Sequence, residues 1–286
     1  MLDGVMLLWF LLTALSLLFV VIDIRTTPAS PVLKWGFILL TAYTGPLGAF
    51  LYVLGCREPL PGMHERYVAT RWRQVLGSTM HCVAGDGVGI LAGAVIASLF
   101  HFAKLTDIGL EYVLGFAFGW SIFQALFMRG MAGGSYSHSL TSTFFPELLS
   151  MNCLMAGMVA LMTLAMKNVP AGHDPSRPAF WFIMSMALLV GFITAYPMNW
   201  WLVSHHLKHG MMTVRSPNEP ANGGEDKSMH GHHMPLGHLN SGQPISKPPV
   251  DGDARPVSTS VLTWMTILSC VIFGLGLSVA VIWGGI

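Results

Sequence analysis

The stretch FWFIMSMALLVGFITAYPMNWWL, residues 180–202, runs twenty-three positions without a charged side chain. At about 1.5 Å per residue a helix of that length reaches roughly 35 Å, enough to cross a hydrocarbon core about 30 Å thick. Comparable apolar blocks lie at about 4–22, 33–54, 77–100, 110–128, 147–166 and 261–283. These blocks are long and continuous, without the period-two alternation of barrel strands. Only a helix satisfies its own backbone polar groups in lipid under that pattern. The fold class read from the sequence is therefore all-α, a polytopic transmembrane helix bundle of about seven spans.

Composition agrees. The 286-residue chain is 53% hydrophobic and 10% charged, where an ordinary soluble domain carries roughly 25% charged residues. A net charge of +1 offers nothing to a nucleic-acid backbone, so the lipid bilayer is the expected partner. The four cysteines, Cys56, Cys82, Cys153 and Cys270, form no CxxC pair and sit in or beside apolar spans, which argues against a disulfide framework.

The organisation reads as an N-terminal transmembrane hairpin over 1–60 and a four-span core over 61–214. A disordered linker follows over 215–259, and a C-terminal span over 260–286 is appended to the six-helix body. The prolines of CREPLPG close the hairpin. The linker is rich in Pro, Gly, Ser and Asn, with too few apolar residues to bury a core. Before the first span stands only MLDG, without the basic start of a secretory signal, so that span reads as a retained anchor. Ten Lys and Arg lie in the loops after spans 2, 4 and 6 and five on the other side. This places the N-terminus in the cytoplasm and the C-terminus outside. Gly85, Gly89 and Gly93, with Gly115 and Gly119, repeat every fourth position and predict close helix packing.

Ionisable residues inside spans are the functional candidates, because a charge in hydrocarbon is costly. His81 and Asp86 stand near the start of span 3. Span 5 reads as starting at PELLSMN, with Pro146 in the first helical position and Glu147 favoured there by the helix dipole. Met151, Met155, Met158 and Met162 continue that face. Thioethers are soft ligands suited to copper(I), although methionine equally fills gaps between helices. Span 6 ends in SHHLKHGMM, where His205 and His209 are four apart and Met212 follows on the same helical face. Lys208, Trp200 and Trp201 read there as interfacial anchors. Pro197 is expected to loosen the helix near Asn199. By topology these ends, together with Met128 and Met131, share the cytoplasmic side. The linker adds MHGHHMPLGH, whose Met229, His230, His232, His233, Met234 and His238 form a candidate accessory metal sponge.

The blocks HCVAGDGVGI, PELLSMN and FWFIMSMALLVGFITAYPMNWWLVSHHLKHGM resemble a bacterial integral-membrane family catalogued as a domain of unknown function, number 4396. The resemblance covers about 80–212, with His81-Cys82, Phe180-Trp181, Pro197, Asn199 and His209-Gly210 as its main points. Many members of that family carry a second cysteine where this chain has Asp86, and its members look like companions of copper-handling genes. The resemblance implies metal-handling partners and no defined activity.

The expected function is a multi-pass bacterial inner-membrane protein that binds or moves a soft transition metal. Copper stands foremost and zinc as the alternative, held by His81, Asp86, Glu147, His205 and His209, with Met151, Met155, Met158 and Met162 as a path. Two other readings stand beside it. One is a membrane-embedded zinc hydrolase using His81, Asp86, His205 and His209; the other is a structural or assembly protein without metal.

Overall fold

The computed structural model describes residues 2–126, 135–169, 171–211 and 257–284. Among them every regular element is helical: α1 (Leu2–Asp23), α2 (Pro31–Thr44), α3 (Pro46–Gly55), α4 (His64–Val68), α5 (Arg71–Phe100), α6 (Lys104–Phe118), the π-helix π1 (Gly119–Gln124), α7 (Tyr136–Asn168), α8 (Pro178–Ser204) and α9 (Thr259–Gly284). Five of these helices, α1, α5, α7, α8 and α9, are individually long and apolar enough to cross a membrane. Met128, Met131, Met212 and the whole MHGHHMPLGH stretch lie outside the described residues.

The remaining two apolar blocks, as far as they are described, are helical but interrupted. The block read as one span over 33–54 breaks at Gly45 (φ 59°, ψ −134°), a conformation L side chains rarely adopt. A Cβ there would sit 2.5 Å from Thr13 Oγ1 and 3.1 Å from the Trp9 ring, and Pro46 has no N–H with which to continue α2. The block over 110–128 begins six residues earlier, at Lys104, and winds into π1 at Gly119.

α7 is the axis of the bundle. Nearly every residue from Pro146 to Val159 is buried, against α8 on one side and α9 on another. The helix does not start at Pro146, as the sequence suggests, but ten residues earlier at Tyr136. Ser135 caps it by accepting from His138 N–H, and Ser and Thr side chains return hydrogen bonds to the preceding turn, as Thr143 does to the Ser139 carbonyl. The cap at Ser135 sets the helix start there, and the hydroxyls that follow are satisfied on the helix's own carbonyls. Glu147 is therefore mid-helix, and helix-dipole stabilisation does not account for it.

The methionines of α7 are core residues: Met151, Met155, Met158 and Met162 are all buried. α9 docks along α7, where Asn152 Nδ2 donates to Ser269 Oγ at 3.0 Å and accepts from the Tyr112 hydroxyl at 2.7 Å through Oδ1. Outward faces of α1 and α9 carry Leu7, Leu11, Leu15, Val271, Leu275 and Ile282 exposed, as lipid contact requires.

The glycine repeats bring α5 against α6 and π1. A Cβ at Gly89 would land on the Leu114 carbonyl and 2.7 Å from Gly115 Cα; one at Gly85 would meet Phe123. Both helices present backbone at the contact, so neither yields cheaply. Gly89→Ala is expected to cost about 1–3 kcal/mol. Gly109→Ala, whose Cβ meets nothing within 4 Å, should be neutral or stabilising by about 0.4–1 kcal/mol. Thermal unfolding in detergent compares the two.

Candidate functional site

Three separate segments deliver side chains to one buried point, the Glu147 carboxylate. Lys208 Nζ donates to Oε2 at 2.9 Å, Gln124 Nε2 at 2.8 Å and the Cys82 thiol at 3.2 Å. Lys208 Nζ also contacts Cys82 Sγ. The ion pair is shut away from solvent, with the two side chains 4% and 0% exposed, so it carries none of the solvent screening that makes surface pairs weak.

The backbone explains how these groups meet. π1 carries an extra residue per turn, and this stretch supplies both Gln124 to Glu147 and the Phe123 carbonyl, 3.0 Å from His81 Nε2. After Ser204 the chain turns: His206 adopts φ 57°, and the Leu207 and Lys208 amides both reach back to the Leu202 carbonyl, at 3.0 and 3.3 Å. That reversal carries Lys208 inward. The lysine read from sequence as an interfacial anchor is the buried counter-ion of Glu147.

The same turn overturns the His205/His209 half-site as a helical pair. α8 stops at Ser204, so the two histidines do not occupy successive turns of one helix. His205 is exposed, its Nδ1 at 2.8 Å from the Trp201 carbonyl and its ring against Trp201. His209 instead lines a small cavity with His81, Gln124, Ser78 and Gly77. Its volume of about 10 Å³ suits a single water. Burial, and then the neighbouring His206, lower the pKa of His209.

Asp86 completes the cluster. It is fully buried and within hydrogen-bonding reach of Glu147. Its Oδ1 lies where a Cβ on Gly119 would be. Among the described residues no donor reaches either Asp86 oxygen or Glu147 Oε1. Two carboxyl groups therefore face each other with one ammonium between them and the rest of the bundle. With both carboxyl groups ionised the cluster would lack one positive charge, and a buried uncompensated carboxylate is strongly unfavourable. A proton or a bound cation must supply the balance.

Of the five residues read as a metal site, His81, Asp86 and Glu147 thus surround one cluster, His209 borders it and His205 stands apart. Among the described residues no three His, Cys, Asp or Glu side chains stand as a preformed metal-ligand set. Gln124, Cys82 and Lys208 are the contributors that residue-by-residue reading passed over. The signal for Lys208 was a cation set directly against a glutamate-containing apolar bundle. Asn199 also has a structural partner, donating to Ser150 Oγ at 2.8 Å and to the Ala195 carbonyl at 3.1 Å. α8 runs unbroken through Pro197.

Removing one partner of the pair should cost far more than removing both. Lys208→Met alone is expected to destabilise by about 3–5 kcal/mol, and the double variant Lys208→Met/Glu147→Gln by markedly less. A double-mutant cycle on thermal unfolding in detergent measures the coupling.

No curated protein and no solved structure matches the chain. Residues 71–208, which run from the start of α5 to the buried Lys208, match the family model described as Domain of unknown function (DUF4396), and the chain carries that domain.

Proposed function

We propose that this integral membrane protein binds a cation within the bilayer and moves it across. The cargo is a soft transition metal, copper foremost, and Cys82, Asp86 and Glu147 are its intramembrane ligands. The observation that carries this reading is the pair of buried carboxyl groups, Asp86 beside Glu147, with no donor among the described residues on either Asp86 oxygen or on Glu147 Oε1. Ionisable groups facing a bundle interior commonly mark ion pathways.

The donor set argues for the class of ion. A thiol beside two carboxyl groups favours a soft or borderline metal over a hard one. Lys208 acts as the resident counter-ion, holding Glu147 while the site is empty and withdrawing when a metal arrives. This explains why the groups are gathered yet not arranged as a preformed ligand set. His81 and His209, sharing the small cavity beside the cluster, form the approach. On this reading the approach faces the cytoplasmic side of a bacterial inner membrane, where partners hand over metal; the distribution of Lys and Arg among the loops supports that orientation.

Metal analysis of protein purified with copper(I) or zinc tests the reading. Wild type should retain metal, while Cys82→Ser and Asp86→Asn should bind at least about tenfold more weakly. His205→Ala, whose ring lies on Trp201 outside the cluster, should bind as wild type does. Equal retention in wild type and in both cluster variants would refute it.

A further inference from the structure

A second carboxyl pair stands near the junction of α5 and α6, on α6 where it runs beside α5. Asp107 and Glu111 are four apart, so their side chains share one face of α6, within hydrogen-bonding reach of each other. Glu111 is 1% exposed and is held there by backbone contact, since a Cβ on Gly93 would lie 2.9 Å from its Cα. Among the described residues no donor reaches Glu111 Oε2 or Asp107 Oδ1. Both residues line a cavity of about 800 Å³, large enough for many waters.

We infer that Asp107 and Glu111 form a proton-exchange site, one proton shared between the two carboxyl groups and exchanging with water in this cavity. The inference does not depend on the cargo or on the Glu147 cluster, because its evidence lies in separate residues. A buried carboxylate and a partly buried one so close cannot both ionise at low cost. The shared proton leaves from a carboxyl oxygen to a cavity water as hydronium, and a proton from the same water restores the pair.

The surroundings fit a titrating pair rather than a fixed ion pair. From the α5 end the cavity receives His101, from the start of α6 Lys104, and from the α7–α8 connection His173 and Asp174. Asp174 lies 3.8 Å from Arg177. Lys167 of α7 borders the adjoining pocket, but its ammonium donates to the Trp283 carbonyl at 2.9 Å. Burial, then the charge of Lys104, lower the pKa of His173. Met162 and Met166 line the adjoining pocket with Asp107, so the methionine face of α7 runs from the Glu147 cluster toward this pair. If proton exchange here accompanies cation movement at Glu147, the two ends would balance each other's charge.

Infrared difference spectroscopy on the full chain in liposomes, taking the medium from acid to neutral, tests the inference. A carboxylic-acid carbonyl band should disappear on neutralisation in wild type. In Glu111→Gln and Asp107→Asn the remaining carboxyl no longer shares a proton, so this band should change in frequency and be lost at a different pH, whereas in Asp86→Asn it should behave as in wild type. Glu111→Gln keeps the side chain's shape and can donate its amide to Asp107, so folding should be retained, which thermal unfolding checks. A wild-type band that does not respond, or one whose frequency and pH of loss are unchanged in either pair variant, would overturn the inference. Loss of metal binding in Cys82→Ser, or its failure, leaves this spectrum unaffected and so tells the two readings apart.

Discussion

A lysine ammonium buried 2.9 Å from a glutamate carboxylate imposes the conditions that the rest of the bundle meets. Neither charge tolerates an apolar interior alone, and their mutual attraction compensates only when the remaining valences are filled. Glu147 Oε2 takes three donors from three separate segments. The π-helix and the left-handed turn at His206 are the two departures from regular α-helix that bring two of them there. Both are local distortions, which neighbouring interactions must hold in place.

The same arrangement separates two kinds of interior. Around Glu147 and again around Glu111 the bundle buries carboxyl groups that lack donors among the described residues. Between them α7 presents buried methionines, with Met158 close to Gly191 and Met151 close to Gly115. Flexible thioethers fill the irregular gaps that glycine contacts leave. The methionine face thus has a sufficient packing role, and its service as a metal path depends on the cluster at its end binding metal.

Much of the architecture was legible in the chain because hydrophobic length is a strong signal. Each of the seven apolar blocks is helical, and Gly85, Gly89 and Gly93 do mediate the close approach of α5 to α6 and π1. The breaks were less visible. Gly45 departs from the helix because Trp9 and Thr13 leave no room for a side chain, a fact of packing between distant segments. Pro146 looked like a helix start, but the helix begins earlier, where Ser135 caps it. His205 and His209 looked like a helical pair, but the helix ends at Ser204, before both.

The sequence by itself determined that this is a helical membrane protein and that Asp86, Glu147 and His81 sit inside its spans. Burial cost alone marks ionisable residues in apolar runs as exceptional. Only the tertiary structure decided which of them act together. Partners separated by 65 and 61 positions, Cys82 and Lys208 with Glu147, meet through helix packing and a single chain reversal. Periodicity reports which residues share one helix face and says nothing of which faces meet.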